Sequence, residues 1–198
     1  MKITLSKTGT HFEHQGKGFF YFADTIWSAF GNVSIEEWEE YLEYRRAQGF
    51  NALQISILPI TKDASESDLD IQPFKLNSKR KFDYTHINHE YFDRADKMLE
   101  MAVQRGFVPV LAVLWLDYVR DNWGSKRDPD LIMPLDVVET YTEYVVNKYS
   151  KYEPIYLISG DTNFESDKTG EAYMLALKKV KAICPKAMTS MHLSGGNT

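Results

Sequence analysis

Apolar residues along this chain fall into two alternating patterns. Runs at 19–23, 51–58, 107–114, 155–159 and 187–193 are short and apolar at largely consecutive positions, the mark of strands covered on both faces. Between them, apolar residues recur three and four apart: Ile35, Trp38, Tyr41 and Leu42; Tyr91, Ala95, Met98, Leu99 and Ala102; Leu135, Val138, Tyr141 and Val145; Tyr173, Leu177, Val180 and Ile183. That spacing predicts four amphipathic helices. Their ends are signalled too. Ser34-Ile-Glu-Glu37 is a capping box, Gly49 and Gly106 stop the first two helices, Pro134 suits the first turn of the third, and Pro185 follows the fourth. The segment before residue 19 reads as hairpin-like, and the polar, serine- and charge-rich stretch 61–81 as one long loop after the second strand.

Strand and helix in strict alternation imply parallel strands joined by right-handed crossovers. Two architectures fit. A (β/α)8 barrel of TIM type would be represented by five of its eight strands and four helices, an incomplete barrel. A five-stranded doubly wound sheet would be complete in strands but should close with one more helix. With no internal repeat or linker, residues 1–198 read as a single domain, and on the barrel reading it is truncated at its carboxyl end. Such a fragment would expose strand edges, so a further segment completing the barrel, or a homo-oligomer, is the expected partner.

Composition narrows the function classes. At 198 residues, 43% hydrophobic and 26% charged, the chain can bury an ordinary globular core. Its net charge of -5, without a basic block, argues against nucleic acid as a partner. No apolar stretch approaches the ~20 residues of a membrane span, and the amino terminus lacks the features of a signal peptide. As written, the sequence points to the cytoplasm, or to the periplasm or exterior if a leader has been removed. The one cysteine, Cys184, reads as a small buried hydrophobe. Asn32-Val-Ser34 fits a glycosylation sequon, but Ser34 has the better use as a cap.

In both parallel architectures ligands gather at the carboxyl ends of the strands. There the sequence places Asp24 and Trp27, Trp115 and Asp117, Asp161 and Asn163, and His192. Aromatic faces beside carboxylates suit a carbohydrate, whose C–H faces pack on rings while acids bind hydroxyls or move protons. Each also has a structural use: packing for the tryptophans, capping for Asp24, an Asx-turn for Asp161. Phosphate-binding glycine motifs are missing, which weighs against nucleotide binding. The pairs His11/His14 and His86/His89 lack further ligands, and the run from Asp63 to Asp68 lacks the glycine and glutamate of a calcium loop, so no metal or cofactor is expected.

Several of these residues occur in a recognisable order. Phe20-Tyr-Phe-Ala-Asp24-Thr-Ile-Trp27, Arg45-Arg-Ala-Gln-Gly49-Phe-Asn51, Tyr91-Phe-Asp93 leading to Gly106-Phe107, Leu114-Trp115 and Ile158-Ser-Gly160-Asp161 resemble the apiosidase-like (β/α)8 glycoside hydrolases, bacterial enzymes that act on plant cell-wall glycans. The resemblance spans roughly residues 10–195. It implies a TIM barrel in which Asp161, at the end of the fourth strand, is the general acid/base. Asp24, Trp27, Trp115, Asp117, Asn163 and His192 then fall around a sugar pocket. It also implies a nucleophile near the end of a seventh strand, which these residues do not reach, so that glycosidase activity belongs to a longer form and the chain alone is weak or inactive. The contrasting expectation is a carbohydrate-binding or scaffold remnant of the same fold that performs no chemistry.

Overall fold

A computed structural model describes residues 2–60, 69 and 71–195. The chain opens with a small antiparallel sheet, β1 (Thr4–Leu5), β2 (Phe12–His14) and β3 (Lys17–Phe19), turned by Gln15 and Gly16, both at positive φ. The apolar run at 19–23 is therefore divided. Phe19 closes this sheet, Phe20 and Phe22 are exposed, and the first parallel strand, β4, is Ala23–Thr25. Asp24 thus lies within a strand rather than after it.

A one-turn helix α1 (Ala29–Asn32) precedes α2 (Ile35–Ala47), which begins at the capping box the sequence predicts: Ser34 Oγ accepts from Glu37 N, and Glu37 Oε2 accepts from Ser34 N. Gly49, at φ +88, turns the chain into β5 (Ala52–Ser56). The 61–81 stretch is not all loop. Its end holds β6 (Phe74–Leu76), paired antiparallel with β7 (Phe82–Ile87). The cause is one large residue in a polar run: Phe74 is buried among the rings of Phe82, Tyr84 and Tyr141. The calcium-like run 63–68 lies outside the described residues.

Helix α3 (His89–Gln104) leads through Gly106, again at positive φ, into β8 (Val108–Trp115), all eight residues of which are buried. Helix α4 (Leu135–Tyr149) returns the chain to β9 (Ile155–Gly160), also wholly buried, and α5 (Asp167–Ile183) leads to the two-residue β10 (Thr189–Ser190).

The main sheet runs β10-β9-β8-β5-β4, every neighbouring pair parallel. The chain adds strands in one direction without the reversal that defines a doubly wound sheet. Successive helices also touch, α2 against α3 and α4 against α5. This is the wall of a (β/α)8 barrel with its helix ring, here five strands of it.

Three buried helix tyrosines carry their hydroxyl to a backbone carbonyl: Tyr91 to Ile57, Tyr141 to Val113 and Tyr149 to Phe92. Large apolar bodies are buried this way without leaving a polar tip unpaired. No helix among the described residues is long and apolar enough to cross a membrane.

Candidate functional site

The carboxyl ends of β4, β8, β9 and β10 converge on three rings. Trp27 follows β4, held by its carbonyl, which accepts from Ser56 N at 2.9 Å. Trp115 ends β8, and His192 follows β10. The ring centroids are 5.0 Å apart for Trp27 and Trp115, 5.1 Å for Trp27 and His192, and 5.9 Å for Trp115 and His192. Trp115 is only 6% exposed, so it backs the cluster. Trp27 is half-buried.

Gly160, the last residue of β9, lets Trp115 lie there. A Cβ at this position would come within 2.0 Å of Trp115 Cε3, far inside van der Waals contact. The next residue, Asp161, is in the left-handed region at φ 55, which aspartate and asparagine adopt more readily than other side chains but less readily than glycine. Both polar groups of its backbone are engaged. Its N–H donates to His192 Nδ1 at 3.0 Å, and its carbonyl accepts from Trp123 Nε1 at 3.1 Å. The first contact requires Nδ1 of His192 to be an acceptor, so the neutral ring carries its proton on Nε2. Burial pushes the Asp161 carboxyl above the ordinary carboxylate range, against the attraction of Arg127 and of His192 when it is protonated. A carboxyl raised in this way stays protonated further toward neutral pH and can give up its proton to a leaving group.

The loops after β8 and β9 are stitched together behind this residue. Thr162 Oγ1 donates to Asn122 Oδ1 at 2.8 Å, Ser166 Oγ to Asp121 Oδ2 at 2.9 Å, and Thr169 Oγ1 to the Arg120 carbonyl at 2.8 Å. Lys126 and Glu165 form an ion pair at 2.5 Å across the two loops.

Of the residues singled out from the sequence, Trp27, Trp115, Asp161 and His192 come together. Asp24 does not join them. Its carboxylate faces α2, where Tyr41 OH donates to Oδ2 at 2.7 Å and Arg45 Nε lies 2.5 Å away. Alternation along a strand explains this, since one residue in two points to the helix layer. Asp117 is buried beneath the 122–127 loop, against Gly124. Asn163 is exposed on the loop after Asp161.

The sequence reading passed over Trp123 and Arg127, whose guanidinium sits 4.2 Å from the centre of the Trp123 ring. The signal was a Trp-Gly pair, Trp123-Gly124, in the same strand-end loop as Asp117. Among the described residues no cluster of three or more His, Cys, Asp or Glu could hold a metal. His14 Nδ1 lies against the Lys2 carbonyl, and His86 against Asp83. A cleft of about 340 Å³, lined in part by Tyr156, Met188 and the half-buried Cys184, opens at the opposite, amino-terminal end of the strands, away from these rings.

A family model described as "Apiosidase-like, catalytic domain" matches residues 6–198. No curated protein matches the sequence. Among solved structures, one named "Glycoside hydrolase" superposes with a TM-score of 0.74 at 20% identity, over 98% of this chain and 41% of its own. A glycoside hydrolase family 5 protein from Bacteroides vulgatus ATCC 8482 gives 0.73 at 18% identity, over 99% and 40%. The endo-1,4-beta-mannanase from Rhizomucor miehei gives 0.69 at 12% identity, over 99% and 63%. At these identities the likeness is one of fold, and the chain spans about two fifths of the length of the first two.

Proposed function

Because this chain belongs to the apiosidase-like catalytic-domain family, we propose that it forms the acid/base half of a glycosidase acting on side chains of plant or bacterial polysaccharides. The observation that carries the proposal is Asp161: a carboxyl raised by burial, at the carboxyl end of a barrel strand, beside a wall of Trp27, Trp115 and His192. In this reading a sugar ring packs its C–H face on Trp27. Asp161 protonates the departing glycosidic oxygen. If a second carboxylate attacks the anomeric carbon, Asp161 as a carboxylate then takes a proton from the water that releases the glycosyl-enzyme; if the reaction inverts, the second carboxylate activates the water instead.

A second carboxylate is required, about 5–5.5 Å away for retention or about 6.5–9.5 Å for inversion. Asp24 is engaged by Arg45 and Tyr41, Glu165 by Lys126 and Asp121 by Ser166, and Asp117 is buried against Gly124. We therefore assign the second group to residues other than these. Hydrolysis of pectic and chromogenic glycosides by the complete gene product tests the reading. Asp161→Ala should lose at least ~100-fold in rate, as removal of a general acid does, and an unchanged rate would remove Asp161 from the chemistry.

The ring cluster supports a second reading, a glycan-binding unit without chemistry. On that reading Trp27→Ala abolishes binding of the same glycans, no turnover is found, and Asp161→Ala binds as the wild type does.

A further inference from the structure

Asp161 stands on a backbone that does not hold itself. A non-glycine residue at φ 55 costs of order 1 kcal/mol or more and persists only where its surroundings impose it. Here the imposition is visible. Asp161 N–H is taken by His192 Nδ1 and its carbonyl by Trp123 Nε1, at 3.0 and 3.1 Å. The two partners come from different parts of the barrel: His192 follows β10, and Trp123 lies in the loop after β8. Both are half-buried, so each hydrogen bond is partly shielded from competing water.

Trp123 is itself held. Arg127 stacks 4.2 Å from its ring centre, and the Arg127 N–H closes the 124–127 turn on the Gly124 carbonyl at 2.9 Å. Gly124 has no room for a side chain, since a Cβ there would lie 1.8 Å from Leu116 Cδ1. The indole N–H is thus presented from a loop packed on Leu116 and closed by its own turn. Its reach to a backbone carbonyl, rather than to open solvent, is a specific placement of a donor.

We propose that Trp123 is a positioning residue for Asp161, its indole N–H fixing, together with His192, the left-handed peptide that carries the carboxyl at the end of β9 beside the Trp27, Trp115 and His192 rings. This rests on the reading of Asp161 as the acid/base, yet the geometric part stands apart from it. Trp123 acts on the reaction through Asp161 and needs no contact with substrate. Removing the indole N–H lets the Asp161 peptide leave its strained conformer, so the carboxyl spends less of its time in reach of the glycosidic oxygen. Substrate binding on Trp27 is unaffected.

The test uses the complete gene product and begins with hydrogen exchange followed by NMR. In the wild type, the Trp123 indole proton and the Asp161 amide proton should both exchange at least ~10-fold more slowly than those of unstructured peptides. Trp123→Phe keeps an aromatic ring under Arg127 and removes the donor. It should speed exchange of the Asp161 amide by ~10-fold or more while leaving amides within β8 unchanged. With a chromogenic glycoside that the wild type hydrolyses, the same variant should lower kcat by ~10-fold with KM within twofold, and should add nothing further in an Asp161→Ala background. A freely exchanging wild-type indole proton, an Asp161 amide unaffected by Trp123→Phe, or a loss seen in KM alone would each overturn the proposal. If Trp123→Phe misfolds, the wild-type exchange measurement still decides the clamp. If Asp161→Ala costs nothing while the exchange results hold, the clamp stands and the acid/base assignment falls.

Discussion

Gly160→Ala tests the packing that joins the end of β9 to the aromatic wall. The added Cβ would meet Trp115 Cε3 at 2.0 Å, Cζ3 at 2.6 Å and Cδ2 at 2.7 Å, while ordinary contact begins at 3.4 Å. The indole would have to retreat by about 1.4 Å, the difference between 3.4 and 2.0 Å. It has little space to do so, being 6% exposed and in ring contact with Trp27 and His192. Gly160 is not at positive φ, so the cost is steric and not one of backbone preference. Overpacking of this kind costs ~1–3 kcal/mol. At ~2 kcal/mol, a chain of this length should melt about 4–8 °C lower. Thermal melts followed by far-UV circular dichroism measure that shift, and near-UV spectra report whether the indoles have moved. In a Trp115→Leu background, where the clashing atoms are gone, Gly160→Ala should cost less than half as much. A melting point within ~1 °C of the wild type and an unchanged near-UV spectrum would refute the argument.

Further outcomes follow from individual contacts. Asp24→Ala should destabilise the fold by ~1–3 kcal/mol by leaving Tyr41 OH without its acceptor and Arg45 Nε without its ion-pair partner, while binding of glycans, followed by calorimetry, stays unchanged. Ser34→Ala removes the α2 capping box and should cost ~1 kcal/mol in urea titrations. The Asp161 carboxyl, raised in the folded state, binds its proton more tightly there than in the unfolded chain. Its contribution to stability is present below the unfolded-state pKa and is lost as pH rises through the folded-state pKa. Asp161→Asn should therefore be more stable than the wild type at pH 7, with the gap closing in acid, as urea titrations across pH will show.

Much of the fold was legible because its signals are local. The consecutive apolar residues of β8 and β9 are buried along their whole lengths, and the Ser34 cap and the two helix-ending glycines act where the sequence placed them. Phe19 to Ala23 misled because an apolar run does not say which sheet its residues join. Phe20 remains 81% exposed. The β6–β7 hairpin was hidden because Phe74 is the one fully buried residue of its strands, set in a polar run. The choice between barrel and doubly wound sheet needed the strand order, which no local pattern encodes.

Position at a strand end singled out Trp27, Trp115, Asp161 and His192, which the fold brings together. The direction in which Asp24 points depends on strand register, and the approach of Trp123 to Asp161 depends on a contact between residues 38 positions apart. The motif segments that carry the family resemblance also prove to be joined physically. Arg45 pairs with Asp24, and Asn51 bonds the Phe20 carbonyl and the Phe22 N–H. The first-strand motif and the one at the end of α2 are thus two sides of one structural contact.

The account turns on whether Asp161 delivers a proton to the departing oxygen. The most direct measurement compares kcat/KM of wild type and Asp161→Ala on two aryl glycosides of one sugar, with 4-nitrophenol and the more acidic 2,4-dinitrophenol as leaving groups. The account predicts a loss of at least ~100-fold on the first, which needs protonation, and much less on the second, which departs as an anion. Equal losses on both, or none on either, would contradict it.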